Sequence, residues 1–140
     1  MKYVVLVSHG EFAAGLKTSL DMLAGKREDV LAVGLPDGKT ADEFAAMFKE
    51  CIQAITDEDE IILLADIVGG SPLTTALNVL ANEGKLAATI TMGGMNLPLA
   101  LTAVLMKDTA DKETFADTVL AEAKTALQEF KLETAEDEEI

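Results

Sequence analysis

The sequence is poor in the residue types that build several common kinds of functional site. It contains one cysteine, one histidine and no tryptophan, and aromatic residues make up only 4% of the chain. A single cysteine, Cys51, excludes an intrachain disulfide and a cysteine-based zinc cluster, and the single histidine, His9, excludes a multi-histidine metal site. We expect Cys51 to be a small core residue, because its spacing from Phe44 and Phe48 places all three on one helical face.

Basic residues and long apolar runs are also scarce. The chain has 11 lysines and arginines against 25 aspartates and glutamates, which gives a formal net charge of -14. Such a charge repels nucleic-acid backbones and anionic membrane surfaces. No run of about 18 apolar residues occurs, and the first residues lack the pattern of an export signal. We therefore expect a soluble, intracellular protein that does not bind nucleic acid.

The apolar content is sufficient for one domain with its own core. The chain has 140 residues, of which 49% are hydrophobic, and this is the usual size of a single domain. We predict one domain over residues 1–130, followed by an acidic C-terminal tail over residues 131–140 that includes the run Glu136–Glu139.

Apolar runs alternate with helical patterns along the chain. Four runs are apolar throughout: 3–7, 30–35, 61–65 and 87–92. Strands of this kind are typical of a parallel sheet that is covered on both faces. Apolar residues spaced three and four apart separate the runs and predict amphipathic helices. The order predicts the fold class α/β, with an open, mostly parallel sheet and helices on both faces.

Several helix faces and helix starts can be read directly. Thr40 and Glu43 have the spacing of a reciprocal capping box, and Ser71 followed by Pro72 predicts an N-cap with a first-turn proline. The helix after the first strand has an apolar face of Phe12, Leu16, Leu20 and Leu23. The C-terminal helix has an apolar face of Phe115, Val119, Leu120, Ala123, Leu127 and Phe130.

The only histidine and one aspartate stand at the ends of two predicted strands. His9 follows the first strand and Asp66 closes the third, and the carboxyl ends of parallel strands meet at one edge of the sheet. If these strands are neighbours, the imidazole and the carboxylate lie within reach of each other. A carboxylate bound to Nδ1–H would fix the tautomer and leave Nε2 as a nucleophile. Without His9, Asp66 would be interpreted as a cap of a turn or of the next helix.

The stretch "DIVGGSP" adds an anion-binding pattern beside Asp66. Gly69 and Gly70 allow the backbone to approach a ligand, and Ser71 opens a helix whose free N–H groups attract an anion. No lysine follows, so the stretch is not a nucleotide-binding P-loop, and the three-glycine spacing of a dinucleotide fold is absent. Leu73 occupies the final glycine position of a serine nucleophile elbow, which excludes that motif.

Three stretches together resemble a known family. "VSHGEFAAGLKTSLDMLAG", "LADIVGGSP" and "MGGMNLPL" occur in this order, and they resemble the IIA domain of the mannose-type sugar phosphotransferase system. The resemblance implies a cytoplasmic phosphocarrier that accepts a phosphoryl group from phosphorylated HPr and passes it to a IIB component. The IIB component would phosphorylate a sugar that enters through a membrane IIC/IID permease.

The resemblance also implies roles for individual residues. His9 corresponds to the phosphorylated histidine and Asp66 to the aspartate that orients it. Ser71 corresponds to the serine that contacts the phosphoryl group, with backbone contributions from Gly69 and Gly70. The resemblance implies no metal and no cofactor, and it implies a homodimer.

Other functions remain open at the level of the sequence. The phosphohistidine subunit of a dihydroxyacetone kinase would share the fold and the histidine chemistry. A response-regulator receiver also places an aspartate at the end of its third strand, but it needs acidic magnesium ligands where this chain has Ser8 and His9. A noncatalytic anion-binding module would use the loop Gly69–Ser71 and leave His9 incidental.

Overall fold

The computed structural model describes residues 1–133. The run Glu136–Glu139 and most of the predicted tail therefore lie outside the described residues. Strands and helices alternate in the predicted order: β1 Lys2–His9, α1 Phe12–Ala24, β2 Val30–Leu35, α2 Ala41–Cys51, β3 Glu60–Ala65, α3 Ser71–Asn82, β4 Thr89–Met92, α4 Leu97–Met106 and α5 Phe115–Ala126. None of the helices within residues 1–133 is both long and apolar enough to cross a bilayer.

The four strands form one parallel sheet in the order β2-β1-β3-β4. This confirms the predicted α/β fold class. After β1 the chain moves to one side to form β2 and then returns past β1 to form β3. The strand order therefore reverses between β1 and β3, and ligand sites of open α/β sheets form at such a reversal, beyond the carboxyl ends of the strands.

The alternation of side chains along β1 explains why its sequence is apolar throughout. Val4 and Leu6 point to the face that is covered by α1, α4 and α5. Val5 and Val7 point to the opposite face, which α2 and α3 cover. All four side chains are fully buried, which accounts for the continuous apolar sequence of this part of the central strand.

The structure confirms one predicted helix start and corrects another. The Thr40 hydroxyl accepts from the Glu43 N–H at 3.1 Å, and the Glu43 carboxylate accepts from the Thr40 N–H at 2.9 Å, which is the predicted capping box. The prediction of Ser71 as an N-cap is wrong, because Gly70 is the N-cap and Ser71 is the first helical residue.

Three apolar side chains are less buried than their helical spacing predicts. Leu16 and Leu20 of α1 are buried, whereas Phe12 is 49% and Leu23 is 59% exposed at the two ends of the helix. Cys51, the last residue of α2, is half-buried and not fully in the core.

Two predicted elements are shorter in the structure. β4 begins at Thr89 because residues 86–88 form a short 3₁₀ turn. The C-terminal helix ends at Ala126, and Leu127 and Phe130 are exposed. The prediction that these two residues extend the apolar face of α5 is wrong.

Candidate functional site

The end of β1 and the residue after β3 form the centre of the candidate site. His9 is the last residue of β1, and Asp66 directly follows β3. The Asp66 N–H donates to the Val7 carbonyl at 3.2 Å, which continues the β1–β3 ladder by one residue. The ladder thus carries the Asp66 side chain to the same sheet edge as His9.

The structure brings the imidazole and the carboxylate into direct contact. His9 Nδ1 lies 2.8 Å from Asp66 Oδ2, and the His9 backbone N–H donates to the same oxygen at 2.9 Å. The other oxygen, Asp66 Oδ1, accepts from the Ile67 N–H at 2.8 Å. Two backbone donors therefore hold the carboxylate in place beneath the ring. The His9 side chain is 49% exposed and the Asp66 side chain is 16% exposed.

The environment of Asp66 favours its ionised form. Burial alone would raise the pKa of Asp66, but the hydrogen bonds from the His9 backbone, the His9 ring and the Ile67 backbone outweigh it and lower the pKa. An ionised carboxylate can only accept hydrogen bonds, so the proton in the contact with His9 resides on Nδ1. In the neutral ring this leaves the lone pair on Nε2.

The glycine pair after Asp66 surrounds the other side of the ring. Gly69 has φ +86°, a conformation that favours glycine. Gly70 has φ -81° and lies against the imidazole, since a Cβ added to it would stand 2.9 Å from His9 Cε1. The ring is thus positioned by Asp66 at Nδ1 and by Gly70 at Cε1.

Ser71 lies next to this ring contact, at the first position of α3. Its side chain is exposed and Pro72 follows it. The N–H groups of Ser71 and Leu73 belong to the first turn of α3, so the helix itself offers them no carbonyl to donate to. Pro72, between them, has no N–H. Thr74 is the first residue to donate within the helix, to the Gly70 carbonyl at 3.1 Å. The start of α3 therefore offers donors for an anion beside His9.

Ser8 is a positioning residue that the sequence analysis did not identify. It is fully buried at the end of β1, and its Oγ accepts from the Ala13 N–H of α1 at 2.7 Å. Glu11 occupies the N-cap position of α1 and makes no side-chain cap bond. Ser8 therefore supplies the cap from within the preceding strand, and it fixes the turn that follows His9.

The turns after β1 and β2 are tied together beside His9. Gly10 has φ +55°, and its N–H donates to the Leu35 carbonyl at 2.8 Å. A Cβ on Gly34 would overlap the Gly10 carbonyl oxygen, so glycine at 34 permits this close approach. An open groove of about 440 Å³ lies between the two turns and is lined by His9, Gly10, Leu35, Pro36, Asp37, Gly38 and Lys39. No pattern in the sequence predicts this groove.

The site lacks the metal-binding features of a receiver domain. The end of β1, where a receiver carries acidic ligands, holds the buried Ser8 and the half-exposed His9. Within residues 1–133, no three His, Cys, Asp or Glu side chains lie close enough together to bind a metal ion.

Comparison with known families assigns the chain to one group of proteins. The model of the EIIA-man family, described as "PTS system fructose IIA component", matches residues 3–120. The chain belongs to this family. The resemblance to mannose-type IIA domains of the sugar phosphotransferase system (PTS) is therefore confirmed, and the matched region contains both His9 and Asp66.

Curated relatives of this IIA domain are components of the same transport system. A fructose-specific EIIA component of Bacillus subtilis is 27% identical over 105 residues, which cover 75% of this chain and 70% of the relative. A mannose-specific EIIAB component of Escherichia coli K12 is 22% identical over 128 residues. The latter match covers 91% of this chain but only 38% of the relative.

Solved structures agree with the fold of this IIA domain. The PTS IIA protein associated with the fucose utilization operon of Streptococcus pneumoniae has a TM-score of 0.78 at 27% identity, with 91% of this chain and 92% of that chain covered. The mannose/sorbose-specific IIA subunit of Enterococcus faecalis has a TM-score of 0.80 at 20% identity, with 96% and 98% covered. At this lower identity the likeness is one of fold alone.

Proposed function

We propose that this IIA domain is a cytoplasmic phosphocarrier. It accepts a phosphoryl group from phosphorylated HPr on Nε2 of His9 and passes it to a IIB component, which serves sugar uptake through a membrane IIC/IID permease. The observation that carries the proposal is the 2.8 Å contact between His9 Nδ1 and Asp66 Oδ2 beside the start of α3. This contact keeps the proton on Nδ1 and the lone pair on Nε2.

The proposed transfer is an in-line displacement at phosphorus. The Nε2 lone pair forms the new nitrogen–phosphorus bond while the bond between phosphorus and the donor breaks, and that electron pair leaves with the donor. His9 gains positive charge, which the Asp66 carboxylate stabilises through Nδ1–H. Charge on the phosphoryl oxygens is stabilised by the N–H groups of Ser71 and Leu73 and by the Ser71 hydroxyl. Transfer to the IIB component reverses these changes.

Exposed apolar side chains around His9 support a protein as the phosphoryl donor. Phe12 is 49%, Ile67 is 53% and Val68 is 77% exposed, and each lies within three residues of His9 or Asp66 along the chain. Exposed apolar clusters of this kind mark protein interaction surfaces. A small-molecule donor would leave them without a function.

The proposal is tested by phosphoryl transfer with purified components. Incubation with HPr, enzyme I and labelled phosphoenolpyruvate should label the wild-type chain and leave His9→Ala unlabelled. Asp66→Asn should be labelled about 10- to 100-fold more slowly, because the amide neither fixes the tautomer nor stabilises the charged ring. All three proteins should have the same thermal unfolding transition to within a few degrees.

The chemistry of the label separates the proposal from its alternatives. A phosphohistidine is labile in acid and stable in base, whereas an acyl phosphate on Asp66 is labile in base. A pure anion-binding module would acquire no covalent label. An undiminished label on His9→Ala would refute the proposal.

We also propose that the chain forms a homodimer. Within residues 1–133, β4 pairs only with β3, so the outer edge of β4 carries no strand. Leu127, Phe130 and Leu132, in the segment after α5, are 76% to 81% exposed. A second copy of the chain would cover this open strand edge and these apolar side chains, both of which favour self-association when left bare.

A further inference from the structure

The proposed function brings an anionic phosphoryl group to an acidic chain, and the groove beside His9 contains a residue that can offset the repulsion. The chain carries a net charge of -14, and it must receive a phosphoryl group that is itself anionic. One of the negative charges that make up this total, the Asp66 carboxylate, lies directly beside the imidazole. A cation near His9 would offset part of this repulsion. A role for such a cation rests on the proposed function of His9 as the phosphoryl acceptor.

The sheet register places one lysine on the β2 side of His9. His9 stands opposite Leu35 in the β1–β2 ladder, and the turn over residues 36–39 follows Leu35 directly. The open groove between this turn and His9 is lined by two charged side chains, Asp37 and Lys39. Lys39 is therefore the basic side chain, apart from the imidazole itself, that lines this groove.

Lys39 is held only loosely by its carboxylate partner. Its Nζ lies 3.9 Å from Glu43 Oε2, which is beyond hydrogen-bond distance, and its side chain is 50% exposed. The second carboxylate oxygen, Glu43 Oε1, accepts from the Thr40 N–H at 2.9 Å as part of the capping box. The capping bond therefore holds the Glu43 carboxylate at the start of α2. Lys39 can move away without breaking a hydrogen bond to Glu43.

Three other paired basic residues occupy the opposite end of the molecule. Arg27 precedes β2, Lys85 precedes β4, and Lys107 follows α4, so all three stand at the amino edge of the sheet. Each makes ion pairs there at 2.7 to 3.2 Å. They are held in place and face away from His9.

We propose that Lys39 binds the oxygens of the phosphoryl group that is transferred to His9. The ammonium group moves from Glu43 into the groove, contacts the phosphoryl oxygens, and offsets part of their charge from the side opposite Asp66. No covalent bond to Lys39 forms or breaks. Lys39 thereby complements the neutral donors at the start of α3 with a full positive charge.

The test compares four variants in phosphoryl transfer from phosphorylated HPr. Lys39→Gln should take up the phosphoryl group about 3- to 10-fold more slowly than wild type at low salt, and Lys39→Arg should retain most of the rate. The difference between Lys39→Gln and wild type should shrink at about 1 M salt, where the Debye length is about 3 Å. Lys112→Gln removes the same charge at the opposite edge and should leave the rate unchanged.

The variant Glu43→Gln tests whether Lys39 acts through its charge or through the structure of the start of α2. The amide oxygen keeps the capping bond from Thr40, and the change releases Lys39 from its carboxylate partner, so the transfer rate should equal or exceed that of wild type. A rate loss in Glu43→Gln as large as that in Lys39→Gln would overturn the inference, because the effect would then arise from the start of α2.

The outcomes distinguish this inference from the proposed function. If Lys39→Gln and wild type are labelled at the same rate on His9, Lys39 has no role and the phosphocarrier function stands. If Lys112→Gln slows transfer as much as Lys39→Gln, the effect is one of net charge and the inference is wrong. If wild type acquires no label, the proposed function itself fails.

Discussion

Gly69 and Gly70 are adjacent, but they meet different physical needs. Gly69 has φ +86°, which a residue with a Cβ adopts only with strain. Gly70 has φ -81°, which any residue adopts, yet a Cβ there would stand 2.9 Å from His9 Cε1. The absence of a side chain at Gly70 therefore makes room for the imidazole and is not required by the backbone. This contact explains why residue 70, the N-cap of α3, is a glycine.

We expect Gly70→Ala to impair the site more than the fold. The added methyl group should displace the ring from Asp66, slow phosphorylation of His9 by about tenfold, and change the free energy of unfolding by less than about 1 kcal/mol, since alanine tolerates this backbone conformation. Gly84→Ala is the matched control: its φ of +73° lies at the far end of α3, so it should cost stability and leave the rate unchanged. Wild-type rates in Gly70→Ala would show that the ring does not depend on this contact.

At the level of elements, an ion-pair network around the buried Lys107 joins the start of β2 to the end of α4. Lys107 is 1% exposed, and its Nζ lies 2.7 Å from Asp29 Oδ2 and 3.0 Å from Asp108 Oδ2. Arg27 Nε donates to Asp29 Oδ1 at 3.0 Å. The hydrogen bond from Arg27, together with Lys107, outweighs burial and lowers the pKa of Asp29 to about 2. The network lies at the amino edge of the sheet, far from His9.

Asp29→Asn should destabilise the fold by about 3 kcal/mol, because it leaves the buried Lys107 with only an exposed carboxylate. The pKa of Asp29 is lower in the folded chain, so its stabilising effect is complete above about pH 4 and is lost as the pH falls through about 2. The variant should lack this part of the acid-induced loss of stability. Chemical denaturation at neutral pH measures the first effect, and chemical denaturation between these two pH values measures the second.

Asp57→Asn provides the control for this measurement. Asp57 pairs with Lys85 at 3.2 Å, but its side chain is 91% exposed, and exposed pairs contribute little. Its free energy of unfolding should stay within about 0.5 kcal/mol of wild type. Equal stability of Asp29→Asn and Asp57→Asn would contradict the importance of the network around Lys107.

At the level of the whole molecule, the order of the elements and the approach of His9 to Asp66 at the candidate site could be predicted from the sequence. Strands that are buried on both faces are apolar throughout, and the parallel arrangement brings His9 and Asp66 to one edge. The cap that Ser8 supplies and the groove beside Lys39 could not be predicted. They depend on which residues stand opposite each other in adjacent strands, such as His9 and Leu35, and on side-chain contacts that no local pattern encodes.

The proposed dimer is also a property of the whole molecule. Light scattering at micromolar concentration should give twice the chain mass for wild type. Phe130→Ser combined with Leu132→Ser should shift the mass toward the monomer, because it removes two of the exposed apolar side chains after α5. Met22→Ser, at an equally exposed position on α1, should leave the dimer intact. A monomeric wild-type chain would contradict the proposed dimer.

The central claim is that the imidazole beside Asp66 receives the phosphoryl group. Mass spectrometry of peptides prepared at alkaline pH, after reaction with phosphorylated HPr, tests it most directly. The account predicts a single phosphoryl group on His9. A phosphoryl group on Ser71, or an unmodified His9 peptide from a folded and otherwise competent chain, would contradict it.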